Sequence, residues 1–141
     1  MSYARFAAAV AAAFVVSNVG AVVVHGFLLD ADYEPFRGSL LRADASWQML
    51  LLPVAHLCYT IALVAVYARV QFSGELVARG LKLGILGWLI GQAPLWLLWY
   101  AEQPWPGELV AKQLVLELVV AFLIGLTIAV IARDSRPVPA R

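Results

Sequence analysis

The last long apolar run of the chain carries a carboxylate in its interior. Residues 110–132 read VAKQLVLELVVAFLIGLTIAVIA, with Glu117 in the outer half of the run. A run of roughly 20 apolar residues crosses the hydrocarbon core of a bilayer as a helix. A carboxylate at that depth is costly unless a partner, water or a proton neutralises it. The run therefore predicts a transmembrane helix whose polar position needs partners from other helices.

The composition of the whole chain also favours lipid as its solvent. Of its 141 residues, 63% are hydrophobic and 13% are charged, whereas a soluble domain has about 25% charged residues. Because lipid cannot satisfy exposed backbone groups, membrane-spanning segments must be helical. We therefore expect an all-α membrane protein with one four-helix domain over residues 1–141 and helices at about 4–29, 47–68, 80–101 and 109–132. The first segment resembles a signal peptide in part, but we expect it to remain as a spanning helix.

The basic residues predict the orientation of the chain, with both termini in the cytoplasm. Seven of them lie at the N-terminus, between the second and third segments, or in the C-terminal tail: Arg5, Arg69, Arg79, Lys82, Arg133, Arg136 and Arg141. Three lie on the opposite, outer side: Arg37, Arg42 and Lys112. Aromatic residues gather near the same outer side, as an interfacial belt does: Tyr33, Phe36, Trp47, Trp96, Trp99, Tyr100 and Trp105. The net charge of +1, without a basic cluster, gives no reason to expect nucleic-acid binding.

Two short internal matches suggest that the chain consists of two related helical hairpins. EPFRG at residues 34–38 follows the first segment, and QPWPG at residues 103–107 follows the third. AVYAR at residues 65–69 ends the second segment, and AVIAR at residues 129–133 ends the fourth. Both matches fall at corresponding points of the two halves, as they do in parallel repeats of membrane proteins.

Polar residues within the four segments fall at similar depths. At about 1.5 Å of rise per residue, Asn18, His56, Gln92 and Glu117 lie roughly 12–16 Å below the outer ends of their helices, and His25 lies about 6 Å below. Polar side chains in a membrane bundle turn inward, because facing lipid leaves them unsatisfied. We therefore expect a central cluster in the outer half of the bundle that comprises Asn18, His25, His56, Gln92, Gln113 and Glu117.

The third segment carries two further stripes. Gly80, Gly84, Gly87 and Gly91 share a narrow face, which favours close helix packing inside the bundle and also permits a homodimer or a membrane-protein partner. Beside them, Trp88, Trp96 and Trp99 share a face with Gln92. These indoles are candidates for lining a pocket for a flat or amphipathic ligand, although buried tryptophan also serves packing.

Three interpretations of the polar cluster remain open. In the first it stabilises the fold, since interhelical hydrogen bonds contribute roughly 0.6–2 kcal/mol each. In the second it binds a small hydrophobic ligand, a partner or a proton, and a proton-coupled transporter using Glu117 and His56 is the alternative of this kind. In the third, His25, His56 and Glu117 bind a metal, or the two histidines bind haem, although the HxxxH and ExxH spacings are absent from the sequence. No serine lies in a GxSxG motif, so we do not expect an enzyme.

Some motifs of the chain also resemble those of known proteins. They are His25-Gly26 with the acidic loop at residues 30–35, and LWYAEQPWPG at residues 98–107, which leads into Lys112-Gln113. In these motifs the chain resembles a group of small, uncharacterised four-helix proteins of the bacterial inner membrane. The resemblance covers most of the chain and implies its fold and its membrane location, but no activity.

Overall fold

The computed structural model describes residues 1–42 and 47–132. Its helices, in chain order, are α1 (Tyr3–Val23), α2 (Asp30–Tyr33), α3 (Leu51–Arg69), α4 (Leu76–Ile90), α5 (Gln92–Glu102) and α6 (Gly107–Ala132). Within this described part, four helical stretches are long and apolar enough to cross a membrane: Tyr3–Leu28, Trp47–Arg69, Leu76–Glu102 and Gly107–Ala132. The predicted all-α fold with four membrane-spanning helices is therefore confirmed, and the chain is a multi-pass membrane protein.

The first span ends in a wide helical turn that carries His25. The residues of this turn are Val24–Leu28, which follow α1 without a break and form a π-helix. The backbone N–H of Leu29 donates to the Val24 carbonyl over 2.9 Å, a separation of five residues instead of the usual four. Such turns insert one residue into a helix and occur often at functional sites. After it the chain folds back through α2 and returns Tyr33 toward the end of α1.

The third span is interrupted at Gly91, between α4 and α5. Proline lacks a backbone N–H and its ring clashes with the carbonyl four residues earlier. For Pro94 that carbonyl belongs to Ile90, the last residue of α4. The helix is therefore interrupted here, and α5 begins with Gln92.

Helix α6 lies at the centre of the bundle, in contact with α1, α3, α4 and α5. Its contact with α4 depends on glycines, because a Cβ on Gly84 would lie 2.6 Å from the Ala121 carbonyl oxygen. A Cβ on Gly80 would likewise lie 2.8 Å from the Cα of Leu126. The prediction that the glycine stripe packs inside the bundle is confirmed at these two positions.

The outer surfaces of all four spans are apolar. Exposed large side chains include Val15 on α1, Leu57 on α3, Ile90 on α4 and Val119 on α6. Such a surface is unfavourable in water and suits a lipid bilayer. Association with lipid, as the composition predicts, therefore fits the fold.

Some predicted bounds and positions differ from the structure or lie beyond its description. The third span begins at Leu76 and not at about residue 80. The basic tail residues used for the orientation, Arg133, Arg136 and Arg141, lie outside the described residues. The pairs α1 with α3 and α4 with α6 pack together as hairpins would, while the duplication itself stays a prediction.

Candidate functional site

His25 links two distant parts of the chain at one end of the bundle. Its Nε2 lies 2.8 Å from Oε1 of Glu117 on α6, and its Nδ1 lies 2.7 Å from the hydroxyl oxygen of Tyr33 on α2. The Glu117 side chain is 12% exposed and that of His25 is 34% exposed. Both ring nitrogens are therefore engaged, and the imidazole is held between a phenol and a carboxylate.

Gln113 extends this chain of hydrogen bonds into the core. Its Nε2 donates to the Tyr33 hydroxyl oxygen, and its side chain is completely buried. Tyr33 itself is 6% exposed, and this burial raises its pKa to about 12. The phenol therefore keeps its proton at any physiological pH and is available as a hydrogen-bond donor.

The four side chains form one directed relay when Glu117 is ionised. The Gln113 amide donates to Tyr33, the Tyr33 hydroxyl donates to Nδ1 of His25, and Nε2–H of His25 donates to the Glu117 carboxylate. A second proton on His25 makes both of its ring nitrogens donors and converts the contact with Glu117 into an ion pair. In that state Nδ1–H of His25 donates to the Tyr33 hydroxyl oxygen, so the direction of this hydrogen bond reverses and the Tyr33 O–H needs another acceptor.

Aromatic rings cover the relay. The Trp96 ring stacks on His25 with a centroid distance of 6.3 Å and an interplanar angle of 28°. Trp99 and Trp105 pack edge to face against Trp96, with ring-centroid distances of 5.0 Å and 6.4 Å. Trp105 also packs edge to face against Tyr33, with a centroid distance of 6.5 Å. A cluster of this kind lowers the local dielectric constant and strengthens the hydrogen bonds that it surrounds.

The three tryptophans predicted as pocket lining take different places. Trp96 is buried and contacts His25, whereas Trp99 lies behind Trp96 and is 36% exposed. Trp88 donates from Nε1 to the Leu114 carbonyl over 3.0 Å and so attaches α4 to α6. Of the three rings, Trp96 is the one in direct contact with the relay.

The other predicted members of the polar cluster are arranged less directly. His56 lies within electrostatic range of both Glu117 and His25 without bonding to either. Gln92 lies beside the Tyr59 hydroxyl but does not meet the geometry of a hydrogen bond with it. Asn18 donates from Nδ2 to the Phe14 carbonyl of its own helix over 2.8 Å. The structure therefore bonds His25 to Glu117 directly and links Gln113 to His25 through Tyr33.

Sequence reasoning missed two tyrosines. Tyr33 is assigned to the interfacial belt in the sequence, because it follows the first span in an acidic loop. Its role depends on the backward fold of α2, and no spacing pattern indicates that fold. Tyr59 lies one turn after His56, and this helical spacing was a signal that could have placed it beside the cluster.

The lysine near the relay forms ion pairs with carboxylates outside the relay. Lys112 Nζ lies 3.0 Å from Asp32 Oδ1 and 3.0 Å from Glu108 Oε1. Lys112 on α6 is therefore engaged by two other carboxylates, and the side chain bonded to Glu117 within the described part of the chain is that of His25.

Among residues 1–42 and 47–132, no group of three or more His, Cys, Asp or Glu side chains could hold a metal ion. The haem and metal interpretation of His25 and His56 stays a prediction. No protein-family model matches the chain, and no curated protein or solved structure is similar to it.

Proposed function

We propose that this protein is a non-enzymatic membrane protein that binds a small hydrophobic ligand or a partner at the site around His25 and Glu117. The proposal includes the bacterial inner membrane as its location, with both termini in the cytoplasm. These last points rest on the charge distribution and the family resemblance.

The observation that carries the proposal is the placement of His25 between Glu117 and Tyr33. An ionisable pair within a membrane-spanning region costs free energy, so such residues usually mark a functional site. His25 also stays 34% exposed, so one face of the imidazole is open to an arriving molecule while Trp96 covers another. A ligand with a polar group could bond at His25 and rest its apolar part on the indoles.

Native mass spectrometry of the protein in lipid nanodiscs tests this proposal. We expect the wild-type protein to keep a small-molecule adduct that Glu117→Gln and His25→Phe lose. Val119→Ala is the matched control, since Val119 is on the same helix and half exposed to lipid. Absence of the adduct from the wild type, or its equal presence in all variants, would contradict a specific ligand site.

A proton-coupled transporter is a second candidate function, and the relay favours it. The sequence alone pairs Glu117 with His56, whereas the hydrogen-bonded partner of Glu117 is His25. A transporter needs Glu117 to gain and lose a proton within the working pH range. Infrared absorption of the Glu117 carboxyl group across that range, with Glu117→Gln as the reference, measures this directly. A carboxyl band that never titrates would remove the transporter from consideration.

A further inference from the structure

A second set of buried polar atoms lies on α3, α5 and α6. Each of these atoms lacks a hydrogen-bond partner in the part of the chain that the structure describes. They are His56 Nδ1, the Tyr59 hydroxyl, Gln92 Oε1 and Gln113 Oε1. A buried polar atom without a partner costs roughly 1–3 kcal/mol, so four in one region call for a physical explanation.

The four atoms belong to one neighbourhood. Gln113 is one turn from Glu117 on the same face of α6. Tyr59 is one turn after His56 on α3, and its ring packs against the third span next to Gln92, since a Cβ on Gly91 would lie 3.1 Å from Tyr59 Cε2. Both His56 and Tyr59 are close enough to Glu117 for its charge to act on them. We call the region bounded by His56, Tyr59, Gln92 and Gln113 the inner chamber.

The fully buried Gln113 gives the firmest evidence. One end of its amide bonds to Tyr33 and the other end has no partner among the described residues. Turning the amide over exchanges the two ends but still leaves one of them without a partner. The orphaned group thus does not depend on how the amide is oriented.

The unpartnered atoms are suited to water. Gln92 Oε1 needs a donor, and His56 Nδ1 and the Tyr59 hydroxyl can each donate or accept. A water molecule supplies both functions, requires roughly 10–15 Å³ of accessible volume, and typically bonds to about three polar groups. The helix is broken at Gly91, and no side chain caps the first turn of α5 there, which adds to the polar character of this region.

We propose that internal water in the inner chamber connects Glu117 to His56, so that protons pass between His25 and His56 through Glu117. The inference goes beyond the proposed function, because it holds whether or not a ligand binds at His25. It also gives a role to His56, which the bonded relay leaves out.

The transfer can be written without any net redox change. Doubly protonated His25 gives its Nε2 proton to Oε1 of Glu117 and becomes neutral, with its remaining proton on Nδ1. The neutral carboxyl group then gives a proton to bridging water, and that water gives one of its protons to Nδ1 of His56. The products are a carboxylate at Glu117 and a protonated His56. Titratable groups facing Glu117 are His25 and Tyr33 on one side and His56 and Tyr59 on the other, while Lys112 is held by Asp32 and Glu108.

Hydroxyl-radical labelling of the protein in nanodiscs tests for the water. X-ray pulses form radicals from water, and mass spectrometry shows which side chains beside water are oxidised. We expect Tyr59 to be oxidised several-fold faster than Trp88, whose N–H is bonded to the Leu114 carbonyl. Gln92→Leu should slow the oxidation of Tyr59 several-fold and leave that of Trp88 unchanged. Ile90→Leu, a change at a lipid-facing position, should alter neither rate.

The labelling experiment can overturn the proposal with the wild type alone. If Tyr59 is oxidised no faster than Trp88, or if Gln92→Leu leaves its rate unchanged, the chamber is dry. A second measurement addresses the proton path: infrared hydrogen–deuterium exchange of the Glu117 carboxyl group in heavy water, at a pH where its band is present. With His25→Phe closing the outer route, exchange should continue and then slow several-fold when His56→Phe is added. Equal rates in the single and double variants would exclude the inner route, and neither result depends on the ligand proposed for His25.

Discussion

The two halves of the bundle are held together by different kinds of contact. In the half of the bundle away from His25, α4 and α6 touch through their backbones, and Gly84 and Gly125 leave no room for a side chain. At the other end, α1 and α6 are joined by side chains, with His25 bonded to Glu117 and Tyr33 bonded to Gln113. We call these regions the glycine interface and the relay end.

The difference shows where the protein can respond to its surroundings. The glycine interface depends on shape, and its close backbone contacts contain no group that titrates. The relay end depends on hydrogen bonds whose donors and acceptors change with the protonation of His25 and Glu117. A change in pH or a bound ligand should therefore act on the relay end while the glycine interface holds the helices in place. Substitutions in the two regions test this difference.

The largest effect is expected at the glycine interface, from Gly125→Ala. Its new Cβ would overlap the Gly80 carbonyl oxygen and lie 2.7 Å from the Gly84 backbone nitrogen. Both of those atoms are backbone, so the helices must separate, and overpacking of this kind costs about 3 kcal/mol or more. Unfolding in sodium dodecyl sulfate, followed by circular dichroism, measures the loss.

Gly26→Ala is the matched control for that change. A Cβ on Gly26 would meet nothing closer than Val22 Cγ1 at 3.9 Å, which is an ordinary contact. We expect it to leave the free energy of unfolding nearly unchanged. Equal losses for Gly125→Ala and Gly26→Ala would show that the glycine interface does not hold the bundle together.

The second largest effect is expected at the relay end, from His25→Leu. Leucine fills similar space but leaves Glu117 without its bonded partner and the Tyr33 O–H without its acceptor, although Tyr33 still accepts from Gln113. Each buried polar group that loses its partner lowers the free energy of unfolding by roughly 1–3 kcal/mol, and the loss is smaller where water replaces the missing hydrogen bond. We expect a loss of about 2 kcal/mol in the free energy of unfolding, together with a shift in the infrared frequency of the Glu117 carboxyl band, because the carboxyl group loses its hydrogen-bond partner. A loss of stability without any change in that band would mean that Glu117 does not depend on His25.

The comparison also explains which features the sequence could predict. Local sequence patterns predict the four spans, the packing of Gly80 and Gly84, and the interruption near Pro94. Hydropathy, small residues and proline each affect the part of the helix in which they occur. The partner of Glu117 does not follow in this way. Depth alone favours His56, but the wide turn after Val23 changes the direction of His25, and α2 brings Tyr33 back to it. A prediction based on regular helices cannot anticipate either event.

A smaller effect should separate the two regions by pH. Burial raises the pKa of Tyr33 to about 12, while an unfolded chain loses the same proton near pH 10. The contribution of the buried, protonated phenol to the free energy of unfolding is therefore fully present below about pH 10. It is lost as the pH rises toward about 12, because the unfolded chain releases the proton more easily than the folded protein does. Two pKa units set an upper bound of about 2.7 kcal/mol, and residual burial in the unfolded state reduces this to about 1–2 kcal/mol.

The measurement for Tyr33 is the free energy of unfolding across this alkaline range, for the wild type and for Tyr33→Phe. The variant lacks this hydroxyl group at every pH. The pH dependence of its free energy of unfolding therefore shows the effect of all the other titrating groups, which can be subtracted from that of the wild type. We expect wild-type stability to fall relative to the variant as the pH rises. Two parallel curves would show that Tyr33 is not protected from solvent in the folded protein.

The smallest effect is expected from Arg37→Gln, just outside the relay end. The Arg37 guanidinium donates from Nε to Glu34 over 2.6 Å and also bonds Asp30, and these bonds raise its pKa. The group is exposed, however, and exposed ion pairs are screened by salt and contribute little to stability. We expect no measurable change in unfolding at moderate salt and no shift of the Glu117 carboxyl band. A shift as large as that of His25→Leu would mean that the loop after α2 controls the relay, and the functional boundary would then extend beyond the buried side chains to the surface of the bundle.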